Sequence, residues 1–583
     1  MSLPKLTRVW TATVIILTLG LLAACAQPQA APAPAPAAQA TTAPAAAQPT
    51  TAPAAQPTTA PAAQPTTAAA TQATAAPAAK AATSGDPGAK ATLIYGMGAD
   101  PTNLDPHQTV DGLSLIAMNR CYDRLVEVKP GEPKPGAPLE VQADAAESWD
   151  VSADGKTYTF KLRKGLKFAD GSPLDAQAVK ASFDRLMAIN KSAASNIRQL
   201  TKTDAVDDVT VKMTLSEPYP YFLPMIGSYA SSIINPKAFA NEKDGDKAQA
   251  WLANNCMGSG PYVISEWTRG QRLVLDYNKN WYGKEPAIKR VIVKIVPEST
   301  NLLLQLEKGD LDFMSPVSIP EMLTLQGKAG VKMVEVPSFL LILAYLNNTK
   351  PPLDNVKVRQ AMNYAINYDQ VIKELIQGKG RRLKGPLAFG MEGYDESLAG
   401  YNYDPAKAKQ LLTEAGYPNG FEITLTYATQ GAPGADDIAQ AAAAYLGEVG
   451  IRVKIEKVAE PTRRERIDKS DFVWSVGGWT PPVPIPPWTM DKWYLCANRG
   501  LNANRAFYCN QKVDELVTKA ATEVDSAKRI QMYRDAQKIM VDEAPYILFY
   551  QANQLIAYRD NLEGFEIKPG GSQYLSYERL SKK

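Results

Sequence analysis

Four of the chain's nine tryptophans lie between Trp474 and Trp493, in the stretch FVWSVGGWTPPVPIPPWTMDKWY over 472–494. Indole faces bind apolar surfaces, the flat sides of sugar rings and, through the ring quadrupole, cationic groups. The five prolines of this stretch remove five backbone donors, and they argue against a helix interior or a central strand. The apolar run before them predicts a strand that ends at Gly477 and Gly478 and projects Trp479. Ligands of open α/β sheets bind beyond the carboxyl ends of the strands, so Gly478, Trp479, Thr480 and Trp493 are candidate ligand contacts. Trp474 and Trp488 are expected in the core. Between Trp479 and Trp488 the chain reads TPPVPIPP, with no Asp or Glu, and the first carboxylate beyond it is Asp491.

Other chemistry is scarce. The single histidine, His107, removes histidine clusters, HExxH zinc sites and two-histidine acid–base schemes. Neither the phosphate loop GxxxxGK nor the nucleophile elbow GxSxG occurs. No metal site and no cofactor is implied. The net charge of +3 is close to balanced, and the densest basic run, PTRRERIDK over 461–469, reads as a solvated helix face. Nothing there suggests a nucleic-acid footprint. The basic cluster Arg381, Arg382 and Lys384 reads as surface.

The chain opens with Lys5 and Arg8, followed by an uncharged apolar stretch too short to span a bilayer comfortably. It ends in Leu22-Ala23-Ala24-Cys25, which resembles the lipobox of bacterial lipoproteins. Residues 1–25 are therefore read as a lipoprotein signal peptide, with Cys25 as the lipidated residue. Acyl chains on Cys25 would anchor the chain to a membrane without spanning it. Residues 26–79 contain only Ala, Pro, Thr and Gln, with nothing large to bury against the entropy of ordering. Residues 26–90 are expected to form a low-complexity tether, whose first 54 residues reach roughly 170 Å at about 3.1 Å per residue. Four cysteines remain in the body. Cys496 and Cys509 bracket a short polar segment that a disulfide could close, and Cys121 with Cys256 is either a second bridge or a pair of buried thiols.

The elements that must position the tryptophans are legible in part. ATLIYGMG over 91–98 reads as a buried strand, and LSLIAMNRCYDRLVEV over 113–128 as an apolar-periodic helix. Asp154-Gly155 joins two alternating runs as a hairpin, the second placing Tyr158, Phe160 and Leu162 on one face. DGSPLDAQAVKASFDRL turns into an amphipathic helix, and AVDDVTVKMTLSE is a second hairpin-like pair. FEITLTYAT, DDIAQAAAAYLGEVG and IRVKIEKV form a strand–helix–strand pattern and imply parallel strands. A body of this length is too large for one core and suggests two or three lobes.

Several blocks carry a family resemblance: AAESWDVSADGKTYTFKLRKGLKFADGSPLDAQAV, GSGPYVISEW, YNKNWYGKEPAIKRVIVKIV, LEKGDLDFM, LNNTKPPLDNVKVRQAMNYAINYDQVI, YNYDPAKAKQLLTEAGYPNGFEITL and CNQKVDELVTKAATEVDSAKRIQMYRDAQKIMVDEAPYILFYQAN. In this order, over nearly all of 91–583, the chain resembles the extracytoplasmic solute-binding proteins of peptide- and nickel-type ABC importers, the oligopeptide- and dipeptide-binding family (solute-binding family 5). The resemblance implies an α/β, two-lobed periplasmic-binding-protein-like fold of type II, with the extra subdomain of the oligopeptide-binding class. Lobe I would comprise 91–130, 255–345 and 546–583, the extra subdomain 131–254 and lobe II 346–545. The lobes would be joined by crossing segments at 341–348 and 543–553.

The implied function is capture of a small solute, peptide-like by default, between the lobes and its delivery to ABC permease subunits in the membrane. The protein would be a monomer on the outer face of the bacterial cell membrane. An oligosaccharide or other non-peptide solute is the alternative within this class, and a secreted glycan-active hydrolase the alternative outside it. The family places Asn103, Asp105 and His107 in a loop at the cleft edge, and Tyr345 and Asn347 lie on a predicted crossing strand. Arg499 and Arg505, between Cys496 and Cys509, could meet an anionic group. The family also sets an acidic residue a few positions after Gly-Trp against the α-amino group of a peptide. This chain departs from that pattern, because TPPVPIPP carries no acid.

Overall fold

The computed structural model describes residues 87–583 other than 110–111, 119, 191–193, 316, 501–503 and 567–574. The expected signal peptide, Cys25 and most of the tether lie outside the described residues.

A mixed sheet of eleven strands organises the chain. Its order runs Ile451–Lys457, Phe421–Tyr427, Trp474–Trp479, Val331–Leu346, Tyr546–Arg559, Phe313–Met314, Thr92–Met97, Arg290–Ile295, Arg272–Tyr277 and Tyr262–Thr268. Gly380–Arg382 pairs with Tyr546–Arg559 off this path. The two longest strands, Val331–Leu346 and Tyr546–Arg559, pair antiparallel from Val331 opposite Arg559 to Tyr345 opposite Tyr546. They include residues 341–346 and 546–553 of the segments expected to join the lobes. Along their length they serve different cores. Val336, Ile556 and Tyr558 pack with the strand Thr92–Met97, whereas Ile342, Ala344, Ile547 and Phe549 pack with the helices Val356–Tyr364 and Ala435–Glu448.

The strand–helix–strand reading of 421–457 holds. Phe421–Tyr427 and Ile451–Lys457 are parallel, linked by the helix Ala435–Glu448, whose Ile438, Ala439, Ala442 and Leu446 are buried. The first predicted strand also forms, pairing parallel with Arg290–Ile295. A separate four-stranded sheet carries the Asp154-Gly155 hairpin, in the order Ala146–Val151, Thr157–Leu162, Thr210–Leu215 and Leu200–Asp207. Gly155 sits at φ 68°, the left-handed conformation that a tight hairpin turn requires and glycine adopts without strain. Tyr158, Phe160 and Leu162 are buried together, and the helix Ala176–Ile189 begins where Asp175 accepts a hydrogen bond from the Ala178 amide at 2.9 Å.

Two expectations change. The helix predicted over 113–128 spans only Gly112–Met118, and Val126–Val128 is a strand paired with Val141–Ala143. The stretch between carries Arg120, Asp123 and Arg124, all buried, and the Arg124 amide donates to Asp144. Apolar periodicity continues through that segment, but charges bound across to other segments end the helix. The proline-rich stretch also differs from expectation. The strand expected before the prolines is present, Trp474–Trp479 lying inside the sheet between Phe421–Tyr427 and Val331–Leu346, but Pro486–Tyr494 is a helix where the prolines argued against one. Pro486 and Pro487 occupy its first turn, where a missing amide hydrogen costs no intrahelical bond.

Candidate functional site

The strand Trp474–Trp479 pairs antiparallel with the crossing strand, placing Gly477 opposite Leu343, Gly478 opposite Ile342 and Trp479 opposite Leu341. Gly477 is needed for a close approach. A Cβ there would lie 2.5 Å from the Tyr345 hydroxyl, which accepts a hydrogen bond from Arg505 at 2.7 Å. Trp474, at the other end of the strand, is fully buried in the core formed with Leu425, Val476 and Phe549.

Beyond the glycines the aromatic side chains gather. The ring of Trp479 stands 6.2 Å from Trp488 and 5.7 Å from Trp493, and Trp493 stands 5.7 Å from Tyr546. Tyr345 meets Tyr546 edge-on at 6.1 Å. Trp479 and Trp488 are half-buried, with indole nitrogens that find no hydrogen-bond partner among the described residues. Trp493, expected at the cleft, is buried, because the Pro486–Tyr494 helix turns it onto Tyr546. Trp488, expected in the core, is the ring left partly open, with the Lys492 ammonium 5.4 Å above it. Thr480 is exposed beside Trp479.

The same helix carries Asp491, which spacing alone did not single out as a contact. Its side chain is 7 % exposed, and its Oδ1 makes no hydrogen bond among the described residues. Burial raises its carboxyl to about 7, against the opposing pull of Arg198 and Lys492. The Arg198 guanidinium lies 3.8 Å from Oδ2, on an exposed side chain. Tyr219 and Tyr533, both buried, lie within electrostatic reach of this carboxylate. One hydrophobic cluster therefore joins Tyr219, Tyr221 and Phe222 to Trp493, Tyr494, Tyr533 and Tyr546, with Trp479 and Trp488 packed on it.

The remaining candidates have structural roles in this arrangement. Asp105 is fully buried and receives both Nη atoms of Arg185, at 2.7 and 3.0 Å. His107 accepts from Arg185 at Nδ1 and donates from Nε2 to the Ser232 carbonyl, at 3.0 and 3.1 Å. Burial lowers its pKa to about 4, so the ring is neutral near pH 7. Asn103 accepts from the Asp105 amide at 2.8 Å. Asp105 and His107 tie their loop to the helix Ala176–Ile189 through Arg185, and Asn103 braces the loop from within. Asn347 is fully buried, and its amide is consumed by Ser470, Phe472 and Thr349. Arg499 is exposed, and Arg505 is drawn to Tyr345. Cys496 and Cys509 form the expected disulfide, with Cα atoms 4.6 Å apart. Cys121 and Cys256 face each other with Cα atoms 6.4 Å apart, within the span a bridge requires. Among the described residues no cluster of His, Cys, Asp and Glu could hold a metal ion, and no helix is long and apolar enough to cross a membrane.

The chain thus combines an α/β architecture, two long strands that serve separate cores, and an aromatic patch where separate segments meet. Comparison with known proteins gives the family. Residues 140–500 match the model of the bacterial extracellular solute-binding proteins, family 5 (middle region). The "Probable D,D-dipeptide-binding periplasmic protein DdpA" of Escherichia coli strain K12 is 37 % identical over 493 residues, 85 % of this chain and 95 % of that one. The glutathione-binding protein GsiB of Escherichia coli O1:K1 / APEC is 29 % identical over 490 residues, 82 % of this chain and 93 % of that one. Among solved structures, the ABC transporter-associated periplasmic binding protein DppA from Helicobacter pylori, in complex with the peptide STSA, superimposes with a TM-score of 0.73. It is 27 % identical and covers 84 % of this chain and 98 % of its own. The chain belongs to the bacterial extracellular solute-binding proteins, family 5, of the peptide/nickel ABC-importer type. Its fold is the two-lobed type II binding-protein fold, and it is an extracytoplasmic solute-binding protein and not an enzyme, which sets the hydrolase alternative aside.

Proposed function

We propose that the chain is a lipid-anchored receptor that captures a peptide-like solute between its lobes and delivers it to the permease of an ABC importer. The lobes are those expected above: 91–130, 255–345 and 546–583 for lobe I, 131–254 for its extra subdomain and 346–545 for lobe II. The observation that carries this reading is the aromatic cluster joining Tyr219 and Tyr221 of the subdomain to Trp479, Trp488, Trp493 and Tyr533 of lobe II, at the crossing strands. A solute seated there touches both lobes, stabilises the closed arrangement by its differential affinity, and presents that arrangement to the permease. The likeness to a D,D-dipeptide-binding protein and a glutathione-binding protein supports short peptides or peptide derivatives as cargo. Delivery then needs no bond chemistry, only binding and hinge motion. Cys25 supplies the anchor, residues 26–90 the tether, and the receptor works as a monomer.

The experiment is thermal melting and small-angle X-ray scattering of the mature chain, freed of co-purified solute, with and without a pool of dipeptides and tripeptides. A rise in Tm together with a smaller radius of gyration is expected. Unchanged values with every peptide would count against the peptide reading.

A further inference from the structure

We propose that the chain carries a second binding site, for a small oxyanion (a phosphate or carboxylate group), built around Arg382 and Lys384. A recess of about 360 Å³, its open mouth included, is lined by residues of the strand Gly380–Arg382, the helix Ser526–Glu543 and the strand Tyr546–Arg559. Its wall carries Arg382, Lys384 and the rings of Tyr368, Tyr401, Tyr494 and Tyr546, and no Asp or Glu. It shares Tyr494 and Tyr546 with the aromatic cluster, but neither Trp479 nor Trp488 lines it. The site therefore does not rest on the peptide reading.

The positive charge of this recess is uncompensated. Arg381, Arg382 and Lys384, which read as surface in the sequence, are all half-buried. Arg382 donates from Nη1 to Asn402 Oδ1 at 3.0 Å and from Nη2 to the Tyr401 carbonyl, and Lys384 Nζ donates to the Glu396 carbonyl at 3.4 Å. All three acceptors are neutral. Elsewhere on the surface Lys357, Lys457 and Lys469 each hold a carboxylate within 2.9 Å. Arg381 lies over the Phe389 ring, 3.6 Å from its centroid, and adds a third positive charge. A guanidinium has five donors. Two of those of Arg382 are used, and its Nε is buried with no partner among the described residues. An unmet buried donor costs free energy that an incoming acceptor recovers.

An opposing feature is the C-terminal end of the helix Ser526–Glu543, whose dipole disfavours an anion. Its last carbonyls are already occupied. Val541 accepts from the Tyr401 hydroxyl at 2.6 Å, Asp542 from Gln360 at 2.6 Å and Glu543 from Arg359 at 2.9 Å. The Glu543 carboxylate is held by Tyr508 and Asn510, and Asp542 is exposed. Stacking 4.6 Å over the Tyr368 ring orients the Arg382 guanidinium. Its planar fork matches the oxygens of a carboxylate or phosphate, which sets an oxyanion above a halide as ligand.

The test uses the mature chain freed of solute, with sodium phosphate or sodium acetate as probe and sodium chloride at equal ionic strength as reference. Melting curves and calorimetry read binding, and protection of Lys384 from an amine-reactive label, read by mass spectrometry, locates it. The wild type is expected to show a saturable rise in Tm and protection of Lys384. Phosphate alone would assign a phosphate-bearing ligand, acetate alone a carboxylate, and both together the oxyanion itself. Arg382→Gln should weaken binding by roughly ten- to a hundred-fold in Kd, the effect of losing charge-assisted hydrogen bonds, and Arg382→Lys should recover part of that loss. Lys454→Gln, on the edge strand Ile451–Lys457, should leave binding unchanged. No difference from chloride in the wild type, binding without protection of Lys384, or unchanged affinity in a folded Arg382→Gln chain overturns the assignment. Neither probe is a peptide, so that failure leaves the peptide reading standing.

Discussion

Asp491 holds its proton more tightly in the folded chain than in the unfolded one, because burial disfavours the ionised form more than Arg198 and Lys492 favour it. A carboxyl raised from 3.8 to about 7 binds more protons folded than unfolded, so its contribution to stability falls as pH rises through that window. His107 acts with the opposite sign. Its pKa is lowered from 6.5 to about 4, so the unfolded chain binds the extra proton and stability is lost as pH falls through that range. The two trends oppose one another where they overlap, and variants separate them. Unliganded Asp491→Asn should gain Tm relative to the wild type as pH rises from 5 toward 8, with Arg198, Lys492, Tyr219 and Tyr533 unchanged around it. A constant difference across that range would show that Asp491 is ionised throughout. The tryptophans should divide similarly. Trp474→Ala removes a fully buried ring and should cost roughly 3–5 kcal/mol by denaturant unfolding. Trp479→Ala, at a half-buried position, should weaken solute binding more than it weakens the fold.

At the scale of elements, the strand Trp474–Trp479 and its partner Val331–Leu346 are locked by a missing side chain. Gly477→Ala would push a methyl group into the Tyr345 hydroxyl and disturb its hydrogen bond with Arg505, costing about 1–3 kcal/mol in an urea or guanidinium titration. A titration curve identical to the wild type's would mean that the strands can part freely. The Cys496–Cys509 bridge closes a short loop beside the helix that carries Trp488 and Asp491, and replacing both with Ser should lower stability by about 3 kcal/mol. Local signals predict such elements well where one interaction decides them. Asp154-Gly155 specifies its hairpin because only a left-handed turn joins two alternating runs. The Pro486–Tyr494 helix escaped prediction because prolines break a helix interior yet suit its first turn, and composition does not reveal which position they hold.

For the molecule as a whole, one strand serves two cores: Val336 and Ile342, both of Val331–Leu346, belong to different hydrophobic clusters. Bound solute should add stability in proportion to the logarithm of its excess over Kd, about 2.7 kcal/mol at a hundred-fold excess, read as a rise in Tm. It should also shrink the scattering envelope. In cells, Cys25→Ser should move the protein from the membrane fraction to the soluble extracytoplasmic fraction while leaving peptide binding by the purified chain intact. Retention of the variant on membranes would point to a different attachment.

The amino-acid sequence alone determined the α/β character of the chain and the clustering of its tryptophans. Alternation, βαβ periodicity, turn glycines and tryptophan spacing are local patterns, each decided by residues close along the chain. Burial and charge pairing were decided only in three dimensions. Asp105, His107 and Asn347 looked available for ligand until Arg185, Ser232 and Phe472, distant in sequence, were brought against them. The converse holds for Asp491, an ordinary acid in the sequence, whose isolation appears only when helix, tyrosines and tryptophans from separate segments exclude water around it. Whether a polar group is satisfied depends on every chain segment that folds onto it, and no short stretch of sequence contains that information.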